Sequence, residues 1–168
     1  MIRNIVLVGF MGSGKSLTSN KLAGVLKCKV FSTDKLIEQR EGRAITEIFR
    51  DSGEAYFRKV EKEVVKEISD KKGIILDCGG GVVLDSDNMT NLRKNGTIFY
   101  LSAPPERIYN NIKGQKHRPL LNVNNPQAKI SELLEARKPY YEKADIIIDA
   151  DKPIGQIAED ILKVIKNE

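Results

Sequence analysis

The chain has 168 residues, of which 40% are hydrophobic and 30% charged, with a formal net charge of +5. That size and balance suit one soluble domain spanning 1–168 that can bury its own core, and they exclude a disordered chain, a membrane-spanning protein and a second full-sized domain. Two isolated cysteines, Cys28 and Cys78, and the single His117 exclude a disulfide framework and a multi-histidine metal site, and with no secretory signal pattern at the N-terminus a cytoplasmic location is expected.

Ile5-Val6-Leu7-Val8 opens the chain as a continuous apolar run, the pattern of a strand covered on both faces. Gly9-Phe-Met-Gly-Ser-Gly14-Lys15-Ser16 follows and matches G-x-x-x-x-G-K-[ST] between a strand and a helix, the setting that motif requires. Its glycines let backbone N–H groups close around phosphate, and the helix that follows adds its positive end. Lys15 can reach the β- and γ-phosphates of a nucleotide, and Ser16 can ligate Mg²⁺. A nucleoside triphosphate is the ligand these residues indicate.

Val30-Phe31 is a short second strand, and Thr33-Asp34 opens a helical stretch after it. Asp34 could take the proton of a hydroxyl nucleophile, or could be an acid that the helix dipole favours. Phe57, Val60, Val64 and Ile68 recur at helical spacing, with Arg58 at the start of that helix. A surface ion pair is the plain alternative for Arg58. Ile74-Ile75-Leu76-Asp77 is a third strand ending in an acid that would stand near Mg²⁺, and Gly79, Gly80 and Gly81 then bring bare backbone close to a ligand. Thr97–Leu101 predicts a fourth strand.

The segment Lys113–Pro126, rich in glycine, proline and asparagine, is too irregular for an element and is expected to be a lid. In the next helix Ile130, Leu133, Leu134, Arg137 and Tyr141 form one stripe, so Arg137 occupies an apolar-face position. An arginine there needs an anion: a bound carboxylate or phosphate, or an internal salt bridge. Ile146-Ile147-Ile148 predicts the last strand, covered like the others, and Ile154, Ile157, Ile161, Leu162 and Ile165 an amphipathic helix. The alternation predicts a doubly wound α/β domain.

The basic residues are dispersed and do not interleave with aromatics, so neither nucleic acid nor membrane is an expected partner, and a monomer is the default. A GTPase would show Asn-Lys-x-Asp, which is absent. A small-molecule kinase remains, or a catalytically silent nucleotide-binding module.

Taken together, six motifs resemble the shikimate kinase family in order and spacing: Gly9–Ser16, Thr33-Asp34 with Ile37-Glu38, Gly53-Glu54 with Phe57-Arg58, Gly79–Gly81, Arg118-Pro119-Leu120-Leu121, and Ala136-Arg137 with Tyr140. The resemblance covers nearly the whole chain. It implies a P-loop kinase of three α/β/α layers, with a five-stranded parallel sheet of order 2-3-1-4-5, helices on both faces, a shikimate-binding region at about 33–61 and a mobile lid at about 112–126. It implies transfer of the ATP γ-phosphoryl group to the 3-hydroxyl of shikimate. Lys15 and the Gly12, Ser13, Gly14, Ser16 and Leu17 backbone would hold the phosphates, and Arg118 would close over them. Asp34 would be the base. Arg58 and Arg137, with Gly79, Gly80 and Gly81, would hold the shikimate carboxylate. Ser16, Asp34 and Asp77 would surround Mg²⁺.

Three positions depart from the family pattern. Ser32 stands where a second Asp is common, and Asp77 where a small residue is common, so Asp77 is expected to replace part of the missing charge. Asn111 stands where a basic residue often flanks adenine, and Pro153 is expected to be a second adenine neighbour. A gluconate or nucleoside-monophosphate kinase is the alternative on the same core.

Overall fold

The computed structural model describes residues 3–115 and 122–167. Arg118 and His117 lie outside the described residues. Among the described residues the elements run β1 (Asn4–Val8), α1 (Lys15–Leu26), β2 (Val30–Ser32), α2 (Thr33–Glu41), α3 (Ile45–Ile68), β3 (Ile75–Asp77), α4 (Ser86–Asn95), β4 (Gly96–Ser102), α5 (Pro105–Ile112), α6 (Pro126–Tyr141), β5 (Ile146–Asp149) and α7 (Ile154–Lys166), with a 3₁₀ turn at Val82–Leu84.

The sheet has five parallel strands in the order β2-β3-β1-β4-β5. β1 lies at its centre and all five of its residues are buried, as a strand covered on both faces requires. Each fully buried Val or Leu there contributes about 1.5–3 kcal/mol. β5 differs from expectation. It is an edge strand, and Ile147 is 55% exposed while Ile148 is buried. An apolar triplet alone cannot tell a central strand from an edge that a helix covers on one side.

Local chemistry sets several boundaries. Ser32 caps α2 by accepting from the Lys35 N–H, and Gly42 ends that helix in the left-handed region. The Glu38 carboxylate accepts from the Ile45 N–H, and Glu47 reaches back to the Ala44 N–H, so both acids fasten the start of α3. Gly53, at φ 82°, kinks α3 and separates its first turns from the long stretch that carries Arg58. Asn125 caps α6 through the Ala128 N–H, with Pro126 in the first helical position. The last residue of the expected lid segment is therefore already helical.

The main core surrounds the sheet. A smaller cluster of Ile37, Ile48, Phe57, Val60 and Val64 joins α2 to α3, and Leu36 packs against both. The region 33–61 thus has its own apolar support beside the sheet. Among the described residues no helix is long and apolar enough to cross a membrane.

Candidate active site

A cleft of about 340 Å³ opens where the chain leaves β1, β2 and β3, the ends at which open parallel sheets hold ligands. Its walls include Gly12, Gly14, Lys15, Ser16 and Leu17 from the phosphate loop, Ser32 and Asp34 after β2, and Asp77, Gly79 and Gly80 after β3.

Gly12 and Gly14 have φ of 76° and 93°, a region that side chains other than glycine rarely enter. A Cβ on Gly12 would also stand 2.6 Å from Ile112 of α5, so the loop can lie against that helix only without one. The Lys15 side chain is buried and its ammonium donates to the carbonyls of Gly9 at 2.8 Å and Phe10 at 3.0 Å, which holds it inside the loop. Ser16 donates to the Asp77 carboxylate at 2.5 Å. Ser32 and Asp77 are register partners across β2 and β3. The acid at 77 therefore stands one strand away from the position where Ser32 offers only a hydroxyl.

Ser13 behaves differently from its neighbours in the loop. Its N–H donates to Phe10 O at 3.1 Å and its side chain is buried away from the cleft walls. Nor does Pro153 line the cleft. It caps α7, and the next residue, Ile154, forms the wall.

Asp34 is half-buried at the start of α2. Burial pushes its carboxyl above the usual carboxylate range, Lys15 draws it back down, and the charges of Asp77 and Glu38 add to the rise. Gly79 abuts this carboxylate so closely that a Cβ would collide with it. The Gly79 N–H donates to Thr33 Oγ1 at 2.8 Å, which ties the glycine turn to the same end of α2.

Arg58 and Arg137 flank the turn rather than line the cleft. A Cβ on Gly81 would collide with the Arg58 guanidinium, and one on Gly80 would lie 3.6 Å from Arg137 Nη1. Arg137 has no carboxylate partner among the described residues, and its guanidinium lies 5.7 Å from the centroid of the Phe10 ring. Arg58 pairs with Glu61 at 2.9 Å and with Glu54 at 3.4 Å, while its Nε is buried without a partner. Glu61 is 1% exposed and Arg58 only partly so, so this pair is buried on its acid side and is not the surface pair considered from the sequence.

The sequence could have shown Glu61. It sits at the i+4 position of the stripe that begins at Phe57, a charge on an apolar face like Arg137. Burial raises its carboxyl and Arg58 brings it partly back. Arg58→Ala is therefore expected to destabilise the protein by about 2–3 kcal/mol at neutral pH, since it leaves a buried carboxylate uncompensated. The deficit should shrink as pH falls through the raised Glu61 value, because the protonated acid needs no counter-charge. Thermal melting of the variant against pH reads this directly; a deficit that does not change with pH would place the loss in packing.

α5 gives Asn111 a definite contact and adds Arg107, which no motif signalled. The Asn111 amide donates to Gly12 O at 2.7 Å and so clamps the phosphate loop. Arg107, one turn earlier, lines the same cleft and donates to Lys152 O at 2.8 Å, which joins α5 to the segment before α7. Within the last turn of α6 the motif tyrosine Tyr140 is 39% exposed, whereas Tyr141 is buried and bonds the glycine turn.

Known proteins resemble this chain over nearly its whole length. The family model described as shikimate kinase matches residues 11–166. A protein named shikimate kinase from Caldanaerobacter subterraneus subsp. tengcongensis is 47% identical over 163 residues, covering 96% of this chain and 95% of that one. The structure of shikimate kinase from Acinetobacter baumannii in complex with shikimate superposes with a TM-score of 0.93 at 34% identity, over 99% of this chain and 94% of the other. A gluconokinase from Sinorhizobium meliloti shares the fold at a TM-score of 0.60 and 16% identity, over 98% of this chain and 92% of the other.

Proposed function

Because this chain belongs to the shikimate kinase family, and is thus an ATP-dependent kinase, we propose that its cleft moves the γ-phosphoryl group of ATP to the 3-hydroxyl of shikimate. One observation carries the reading at the level of residues. The phosphate loop, Asp34 and the glycine turn share one cleft, with two arginines beside that turn.

In this reading the Gly12, Gly14, Ser16 and Leu17 backbone and Lys15 hold the ATP phosphates. Lys15 exchanges its loop carbonyls for phosphate oxygens, so its charge is already in place before the nucleotide binds. Arg58 and Arg137 grip the shikimate carboxylate, and the Gly79–Gly81 backbone forms the floor beneath it. That fixes the 3-hydroxyl between Asp34 and the γ-phosphorus. Asp34 accepts the hydroxyl proton while the new O–P bond forms and the bond to the β,γ-bridging oxygen breaks, leaving ADP. Most of the acceleration then comes from positioning and neutralised charge. Arg118 is proposed to add charge at the phosphates from outside the described residues.

Ser16, Asp77 and Asp34 offer hard oxygen donors, the set that suits Mg²⁺. Among the described residues no group of three or more His, Cys, Asp or Glu side chains could hold a metal by itself. When bound, Mg²⁺ neutralises the developing charge on the phosphates. Asp77→Ala is expected to weaken Mg²⁺-dependent nucleotide binding about tenfold, the scale of losing an outer-shell partner. Calorimetric titration of ATP at graded Mg²⁺ measures it, and an unchanged Mg²⁺ requirement would remove Asp77 from the site.

The decisive experiment is coupled ADP release with ATP and a panel of acceptors. Shikimate-dependent release, absent with gluconate and nucleoside monophosphates, is the expected result. ATP binding with no acceptor-dependent release would favour a silent nucleotide-binding module.

A further inference from the structure

The hydroxyl of Tyr141 ties the end of a helix to the glycine turn. Tyr141 closes α6, is fully buried, and stacks on Tyr100 with 5.0 Å between ring centroids. Its O–H donates to Gly80 O at 2.6 Å. Arg137 stands one helical turn earlier on α6, and a Cβ on Gly80 would lie 3.6 Å from its Nη1, so guanidinium and hydroxyl approach the same residue of the turn. Burial pushes the phenol up to about 12, so it stays a proton donor throughout the neutral range.

The Tyr141 bond joins two parts of the acceptor pocket that the chain supplies from distant positions. Gly80 belongs to the turn after β3, and Arg137 to α6. Thr33 Oγ1 holds the turn at Gly79, and Tyr141 holds it at Gly80. A trans peptide carries its C=O and N–H on opposite sides, so pinning the Gly80 carbonyl also sets the direction of the Gly81 N–H. The bond thereby fixes the helix that carries Arg137 to the turn beside its guanidinium, which has no carboxylate partner among the described residues.

We propose that Tyr141 is a positioning residue for the acceptor: its hydroxyl pins the glycine turn to the helix that carries Arg137, so that guanidinium and turn backbone meet the acceptor carboxylate as one preorganised unit. The proposal rests on the reading that shikimate binds there. It assigns to Tyr141 a part in acceptor affinity that the exposed Tyr140 lacks.

Tyr141→Phe keeps the ring and its stack on Tyr100 and deletes only the hydroxyl. In the full-length variant, KM for shikimate is expected to rise about fivefold, the scale of one neutral hydrogen bond, with KM for ATP within about twofold of the parent. In an Arg137→Ala background the same change should add less than about twofold, because the guanidinium with which the turn is aligned is gone. Melting curves are read in parallel, and a variant that melts earlier is assayed below its transition. The proposal is overturned by a shikimate KM within about twofold of the parent, by equal rises in both KM values, or by a full rise in the Arg137→Ala background. A parent protein without shikimate-dependent ADP release would instead overturn the acceptor assignment, and this proposal with it.

Discussion

Asp34→Asn is expected to lower kcat by about 10²–10⁴-fold, the range a general base contributes, while ATP binds with little change. The asparagine has nearly the same volume, so it fits the space that Gly79 leaves beside it, and α2 keeps its Ser32 cap. What it loses is the ability to accept a proton. The ATP phosphates are assigned to Lys15 and the loop amides, which the substitution does not touch. Steady-state ADP release and calorimetric ATP titration on one preparation separate these effects. Near-normal turnover would take Asp34 out of the proton transfer. A rise in shikimate KM with kcat preserved would make it a binding group only.

Arg137→Ala should raise KM for shikimate about a hundredfold while KM for ATP stays near its parent value, as expected for two charge-assisted hydrogen bonds lost from a bidentate grip on a carboxylate. The stability cost should be small. Arg137 has no carboxylate partner among the described residues, so its removal leaves no unpaired buried charge there. Arg58 contrasts with it, because its loss exposes the Glu61 carboxylate to an apolar surrounding and confuses affinity with folding. Arg137 is therefore the cleaner probe of the acceptor. Lysine at 137 should recover only part of the affinity, since a point charge cannot reproduce the planar fork. Equal loss of affinity for both substrates would indicate damage to the cleft as a whole.

The two arginines also show how much of the site can be read from the chain. A charge on an apolar stripe marks Arg137 without any coordinates, and it would have marked Glu61 by the same rule. The phosphate loop was legible in full as a motif, because its glycines answer to backbone sterics within eight consecutive residues. Which loop residues face the cleft was not. Ser13 turns inward while Leu17, 63% exposed, helps form the wall.

The sequence by itself determined the five strands and the phosphate loop and offered Asp34 and Arg137 as candidates, since strand runs, helical stripes and glycine turns are written in neighbouring residues; Arg58 it left between a ligand contact and an ion pair. Tertiary structure alone decided that Asp77 stands beside Ser32 and bonds Ser16, that Asn111 clamps Gly12, that Ile147 lies on an open edge, and that Tyr141 rather than Tyr140 holds the glycine turn. Each of these depends on strand register or on how a helix settles against the sheet, and such contacts join residues many tens of positions apart, where no local spacing rule constrains who meets whom.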